Sequence, residues 1–283
     1  MLKKLLVFLI PVALILFSCT NNKQDKKAVV VTPETRVEKR VSLSYHLFFP
    51  KDSIKKMLKA TDSMDLTIIS ALNRADKNAL VNFDTIIIPA DTKLSTEQYF
   101  PFPFVAAFLK DVNKILFFSY PAQAFAAYEH GRLVYTGPTS MGRKTDPTPT
   151  GLFYTNWKAE KSTSTFNDEW DLKWNFNIEN KLGVGFHEYT MPGYPASHSC
   201  LRLKEKDAMY LYNWADQWKI EGTDNILVHG TPVIVFGSYP FGSSRPWLAL
   251  AQNPDALFIS ESDLENIGKQ YLPDIMEKQS EKK

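Results

Sequence analysis

Cysteine is scarce in this chain. Its 283 residues hold two, Cys19 and Cys200, too few for a disulfide framework. A strong charge of either sign is also missing, with 33 lysines and arginines against 31 aspartates and glutamates. No basic stripe stands out, and that argues against a nucleic-acid partner. Internal repeats are not evident. Uninterrupted apolar sequence is confined near the start to residues 5–17, a stretch too short to span a bilayer core as a stable helix.

What is present begins with an address. Lys3 and Lys4 precede that apolar stretch, the pattern of a signal peptide. It closes on Leu16-Phe17-Ser18-Cys19, which resembles the lipobox of bacterial lipoproteins. The resemblance implies a signal segment over residues 1–19 ending at a lipidated Cys19, and a mature protein that faces the cell envelope from a membrane it does not span. Two acyl chains on one cysteine suffice for stable anchoring. Removing residues 1–18 takes away two lysines and no acid, so 31 basic residues face 31 acidic ones and the mature chain is formally neutral. Cys200 is then the one thiol left, unpaired in a compartment where an unused thiol is a liability.

The remainder divides by composition. Residues 20–44 are polar, charged and without sustained periodicity, as expected of a flexible tether. Residues 45–90 read as a small α+β module. In it Asp52 and Asp65 can cap helices bearing Ile54, Met57 and Leu58, and then Ile68, Ile69 and Leu72, before the β-branched run Thr85-Ile86-Ile87-Ile88-Pro89. Asp52-Ser53-Ile54, Ala71-Leu72-Asn73-Arg74 and residues 84–89 resemble a glycan-binding LysM module of βααβ form. Its plainer alternative is a spacer without a ligand. Residues 91–113, with Pro101, Pro103 and the cluster Tyr99-Phe100-Phe102-Phe104, read as a linker. From residue 114 to 238 short strands dominate: around 115–118, 124–128, 133–135, 151–157, 183–187 and 231–236, with Glu129-His130-Gly131-Arg132 as a hairpin turn. One helix is expected between Asp207 and Lys219, with Ala208, Leu211, Ala215 and Trp218 as its apolar stripe. In the C-terminal extension, 239–283, a helix is expected from Ser262 onward.

The chemistry concentrates in Ala196-Ser197-His198-Ser199-Cys200-Leu201-Arg202-Leu203, preceded by Gly185-Phe186-His187 and by Pro147-Thr148-Pro149-Thr150-Gly151-Leu152-Phe153. A thiol with an ordinary pKa of about 8.5 is mostly protonated at neutral pH, so a cysteine that attacks amides needs a base or cation beside it. His187 and His198 are the candidates, and sequence alone does not choose between them. Backbone amides around Ser199 and Cys200 could form an oxyanion hole. Arg202 lies two residues past Cys200, on the same side of an extended segment. It suits either a substrate carboxylate or an internal salt bridge.

Together the three motifs, in this order, resemble the L,D-transpeptidases. The resemblance covers roughly residues 114–236. It implies a mainly β, sandwich-like catalytic domain with a supporting helix, acting on peptidoglycan stem peptides without a cofactor. It assigns Cys200 as nucleophile, His187 as base with its second ring nitrogen held by a backbone carbonyl, and Ser197, His198, Ser199 and Arg202 to the surrounding site. Three positions depart from the family pattern. Ser199 replaces a glycine, Glu188 stands where glycine commonly follows the first histidine, and only nine residues separate His187 from Ser197. If the glycine serves a left-handed backbone, serine there costs about 1 to 2 kcal/mol. Residues 166–176, with Trp170 and Trp174, read as a lid or as a plain β-hairpin. His46, His130 and His229 read as surface or turn residues. No zinc spacing links His187, His198, Cys200 and His229, so no metal is expected.

The function implied is acyl transfer through a Cys200 thioester, cross-linking the cell wall. The alternatives are a hydrolase of the same family, either carboxypeptidase or amidase, and a non-catalytic lipoprotein that binds wall glycan and ties it to the membrane.

Overall fold

The computed structural model describes residues 40–282, except 50, 62, 164–170 and 224. The expected signal segment, Cys19 and most of the 20–44 tether lie outside the described residues. All described residues fall within one compact unit. None of its helices is long and apolar enough to cross a membrane.

Strand β1 (Tyr45–Phe48) leads into helices α1 (Lys51–Ala60), α2 (Ser63–Leu72) and the short α3 (Lys77–Leu80), and β2 (Ile86–Pro89) returns antiparallel to β1. The βααβ order is as expected, with one extra turn of helix. Asp52 and Asp65 stand inside the first turns of α1 and α2 and do not precede them. There their charges still face the positive end of the helix dipole. Asn73 closes the module: its Nδ2 donates to Ile69 O and Ile87 O, and its Oδ1 accepts from Ile87 N at 3.0 Å. Arg74, 1 % exposed, lies between the rings of Phe100 and Trp247 and donates Nε to Ala122 O at 3.0 Å. Burial lowers its pKa to about 9. Asn73 and Arg74, from one of the three segments behind the LysM resemblance, are therefore interior fasteners.

Strands β3 (Lys114–Ser119), β4 (Ala124–Glu129), β5 (Arg132–Pro138), β6 (Gly151–Tyr154) and a later strand, β13 (Pro232–Phe236), form a five-stranded sheet in the order β5-β4-β3-β13-β6. The expected hairpin joins β4 to β5: His130 and Gly131 both have positive φ, 46° and 74°, as a two-residue turn of matching twist requires. A four-stranded sheet, β10-β9-β8-β7, packs against it, built from β7 (Lys158–Thr163), β8 (Asp171–Glu179), β9 (Val184–Glu188) and β10 (Leu201–Leu203). Helix α4 (Glu205–Trp214) follows, then the small ribbon β11 (Lys219–Glu221) and β12 (Asn225–Val228), with β13 after it.

The five-stranded sheet is apolar on both faces, and this explains runs such as Ile115-Leu116-Phe117-Phe118 and Val233-Ile234-Val235. Leu116, Phe118, Val233 and Val235 meet Phe176, Phe186, Leu201 and Leu203 of the other sheet, with Ala208 and Leu211 of α4. On the far face Phe117, Ala126, Tyr128 and Ile234 are covered by Leu72, Ile87, Phe100, Phe102, Trp247 and Leu264. Residues 45–90, 91–113 and 239–282 thus share a core with the sheet, and the compositional seams mark changes of local structure within one core.

Several boundaries move. The helix expected to reach Lys219 ends at Trp214, because Ala215 turns extended at ψ 146° and Asp216 N donates to Thr231 Oγ1 at 2.9 Å. Trp218 lies beyond it. The strand expected over 151–157 is β6 and ends at Tyr154; β7, in the other sheet, begins only at Lys158. The helix expected from Ser262 is α5 (Glu261–Gly268), capped by Ser260 in a reciprocal box with Asp263 and followed by α6 (Leu272–Ser280). Residues 171–176 belong to β8, so that part of the supposed lid is hairpin. Phe166 and Trp170 lie outside the described residues.

Candidate functional site

The four-stranded sheet turns Phe176, Phe186, Leu201 and Leu203 inward. Alternation therefore sends their strand neighbours to the opposite face. Parallel pairing of β9 with β10 sets Leu201 beside Phe186 and Arg202 beside His187. Cys200, one residue before Leu201, falls next to Gly185. Cys200, Arg202 and His187 thereby share the outer face. Gly185 permits the close approach of β8, since a Cβ there would lie 2.6 Å from Phe176 O and 3.0 Å from Asn177 Cα.

Cys200 is half-buried, and its Sγ points to Gly183 O at 3.6 Å. Burial raises the thiol pKa, while a backbone hydrogen bond from Gly185 and the Arg202 charge act in the opposite direction. His187 is 4 % exposed, and its Nδ1 lies 2.9 Å from Glu188 O. A carbonyl can only accept, so Nδ1 carries the proton and Nε2 is the ring's acceptor. Burial lowers the His187 pKa to about 4; the Glu188 carbonyl opposes this and the Arg202 charge adds to it. At neutral pH the resting pair is a thiol and a neutral imidazole. The backbone carbonyl that the resemblance implied for His187 is present, supplied by the neighbouring Glu188.

Arg202 lies over the Tyr189 ring, 4.5 Å from its centroid, and its charge acts on both Cys200 and His187. Among the described residues no salt bridge engages it. The internal-salt-bridge reading is thereby disfavoured, and the guanidinium is left available to a carboxylate from outside the chain.

The segment before the nucleophile is held from several sides. Ser197, 2 % exposed, donates Oγ to Cys200 O, and its own carbonyl accepts from Arg143 N at 3.0 Å. Thr148, from the Thr-Pro-Thr-Gly run, donates Oγ1 to Ser199 O and accepts from Gly142 N, both at 2.8 Å. Contact with the nucleophile loop is thus the structural role of a motif fifty residues upstream. His198 faces the same 143–148 turn. It helps hold the Asp146 carboxyl below its ordinary range, behind the larger effects of Arg143 and Thr145.

Ser199 adopts φ 86°, the left-handed region that favours glycine. Its Oγ reaches Asp146 O at 3.4 Å, a weak compensation. The expected strain is real. Ser199→Gly should therefore stabilise the protein by about 1 kcal/mol, the relief of strain outweighing the added freedom of the unfolded chain. Urea unfolding of the two proteins measures it, and a less stable variant would show that the Ser199 hydroxyl contributes more than the backbone loses.

The short loop between His187 and Ser197 is clamped by the N-terminal module. Asp76 N donates to Met191 O at 2.8 Å, and Met191 N donates to Asp76 Oδ2 at 2.7 Å. Ala75 and Pro192 form an isolated bridge. No feature of the sequence announced this long-range pairing.

His229 does not join the site. Its Nδ1 lies 2.7 Å from Glu281 Oε2, beside the Tyr154 ring, and so fastens the end of the chain. Among the described residues no group of three or more His, Cys, Asp or Glu side chains could hold a metal ion. Sequence reasoning also passed over Asn175 and Asn177, both buried polar residues of β8. Their signal was the alternation Asn175-Phe176-Asn177-Ile178, polar out and apolar in.

A family model described as the L,D-transpeptidase catalytic domain (YkuD) matches residues 113–235. Among solved structures, an L,D-transpeptidase from Mycobacterium tuberculosis is 22 % identical, with TM-score 0.36, covering 44 % of this chain and 58 % of its own. An L,D-transpeptidase from Mycobacterium smegmatis is 19 % identical, with TM-score 0.36, covering 44 % and 59 %. A cysteine-to-serine mutant of the Enterococcus faecium L,D-transpeptidase is 23 % identical, with TM-score 0.35, covering 44 % and 50 %. This chain thus spans less than two thirds of the length of each. No curated protein matches it.

Proposed function

With residues 113–235 matching the L,D-transpeptidase catalytic domain, we propose that the protein is a cysteine acyltransferase of peptidoglycan stem peptides. One observation carries the reading: His187 is fixed by Glu188 O as a neutral Nδ1–H imidazole, on the strand beside Cys200. As Sγ attacks the carbonyl carbon between the third stem residue and its terminal D-alanine, Nε2 takes the thiol proton. The backbone amides of Ser199 and Cys200 receive the oxyanion. Collapse breaks the C–N bond, and the imidazolium returns its proton to the departing amine. D-alanine leaves and a thioester remains. An amine of a neighbouring stem then attacks the thioester and gives its proton to Nε2, and the thiolate leaves to be reprotonated. Arg202 offers its free guanidinium to a stem carboxylate. No cofactor enters the scheme.

In this reading the acylated Cys19 ties the enzyme to a membrane, and residues 45–90 meet the glycan while bracing the 189–196 loop. Intact-protein mass spectrometry after incubation with a synthetic stem tetrapeptide tests the proposal. The expected product is a Cys200 adduct lacking D-alanine. No adduct, under conditions that label a known L,D-transpeptidase, would overturn it. Among the products, a cross-linked peptide identifies transfer and a free tripeptide identifies hydrolysis.

A further inference from the structure

Gly185 has two neighbours across the sheet. Cys200 precedes Leu201, the partner of Phe186, and Asn177 is paired directly with Gly185 on β8. Residues in register across neighbouring strands point to the same face, so the thiol and the Asn177 carboxamide flank a position with no side chain. Asn177 is 3 % exposed, yet its Oδ1 is buried without a hydrogen-bond partner. Asn73, equally buried, is the contrast, since both ends of its carboxamide are committed to Ile69 and Ile87. Where this fold uses asparagine as a fastener it satisfies it. A buried acceptor left empty destabilises the folded state, so its retention beside a nucleophile calls for a ligand.

We propose that Asn177 is a substrate-binding residue, its carboxamide taking a hydrogen bond from a backbone N–H of the acyl-donor peptide beside Cys200. The chemical class follows from the geometry. The acceptor lies one strand beyond Gly185, so the group it meets belongs to the same extended chain as the carbonyl presented to Sγ. Oxygen and nitrogen of an amide exchange places readily, so a substrate carbonyl could equally accept from Nδ2. Either way a peptide unit of the acyl donor supplies a group that the carboxamide can pair with. The inference rests on the acyl-transfer reading above and adds a residue to it.

The test compares the full protein with Asn177→Leu, which keeps the volume and removes the polar atoms. Three quantities are read: the rate of Cys200 acylation by the synthetic stem tetrapeptide, alkylation of Cys200 by iodoacetamide, and the thermal midpoint. Expected are an acylation efficiency lower by about tenfold or more, carried by KM, an unchanged alkylation rate, and a midpoint equal to or above that of the parent. A folded variant acylated as fast as the parent overturns the inference. So does a lowered midpoint with acylation and alkylation falling together, since that marks a structural asparagine. If Asn177→Leu does not fold, Asn177→Ala carries the same comparison. A parent alkylated normally but never acylated removes the acyl-transfer reading itself, an outcome distinct from the other two.

Discussion

Cys200→Ala is expected to abolish acylation by the stem tetrapeptide, a loss on the order of 10⁴-fold or more, while leaving the fold intact. Both halves of that expectation come from the site. The proposed chemistry runs through one covalent bond to Sγ, and Cys200 is the one cysteine within residues 113–235, so nothing there can substitute for it. Stability should change by about 1 kcal/mol or less, because the side chain is half-buried and small and its polar contact is the long one to Gly183 O. Intact mass and D-alanine release measure the first half, and thermal unfolding measures the second. Persistent D-alanine release from a folded Cys200→Ala protein would exclude Cys200 as the nucleophile. The same variant separates enzyme from tether: a purely wall-binding lipoprotein would retain its binding and show no product to lose.

The parts of this site that were legible in the sequence are those whose chemistry is local. Ser197, His198, Ser199, Cys200 and Arg202 lie within one short run, whereas the residues alone left His187 and His198 both open as the base and only the family resemblance favoured His187. The strain at Ser199 could also be foreseen, because a serine standing where glycine is usual poses a backbone question that φ 86° answers. The strands of the inner sheet were readable for a physical reason, since apolar cover on both faces leaves continuous hydrophobic runs. The outer sheet was harder to read. β8 carries asparagines on its outer face, a positive φ at Trp174 and two register shifts against β9, which blur the period-two signal. Least legible was what holds the pieces together. Asp76 on Met191, Arg74 between Phe100 and Trp247, and Glu281 on His229 pair residues far apart in the chain, and each looks ordinary in its own neighbourhood. The sequence seams at 90, 113 and 238 therefore suggested more independence than the shared core allows.

His187→Gln is the second large expectation, and it has two readouts with opposite signs. Acylation at neutral pH should fall by about 10²- to 10⁴-fold, the range for loss of a general base. The carboxamide can still donate to Glu188 O, but it offers no nitrogen to take the thiol proton. Stability in acid should improve relative to the parent. The folded protein holds His187 neutral down to about pH 4, against an ordinary value of 6.5, so below 6.5 the unfolded chain binds a proton that the native state refuses. The parent loses stability as pH falls through that window, by up to about 3 kcal/mol at its lower edge. Glutamine does not titrate, so this part of the loss should vanish from urea unfolding measured between pH 7 and 4. The thiol contributes at the other end of the scale. Its pKa is raised by burial, so with His187 neutral the thiol–imidazole pair is the form present through neutrality, and acylation by the parent should be level from pH 6 to 8 and fall in acid as His187 is protonated. A parent rate that climbs steadily from pH 6 to 8, or a His187→Gln protein that keeps its acylation rate, would assign the proton to a different acceptor, with His198 the next histidine to test.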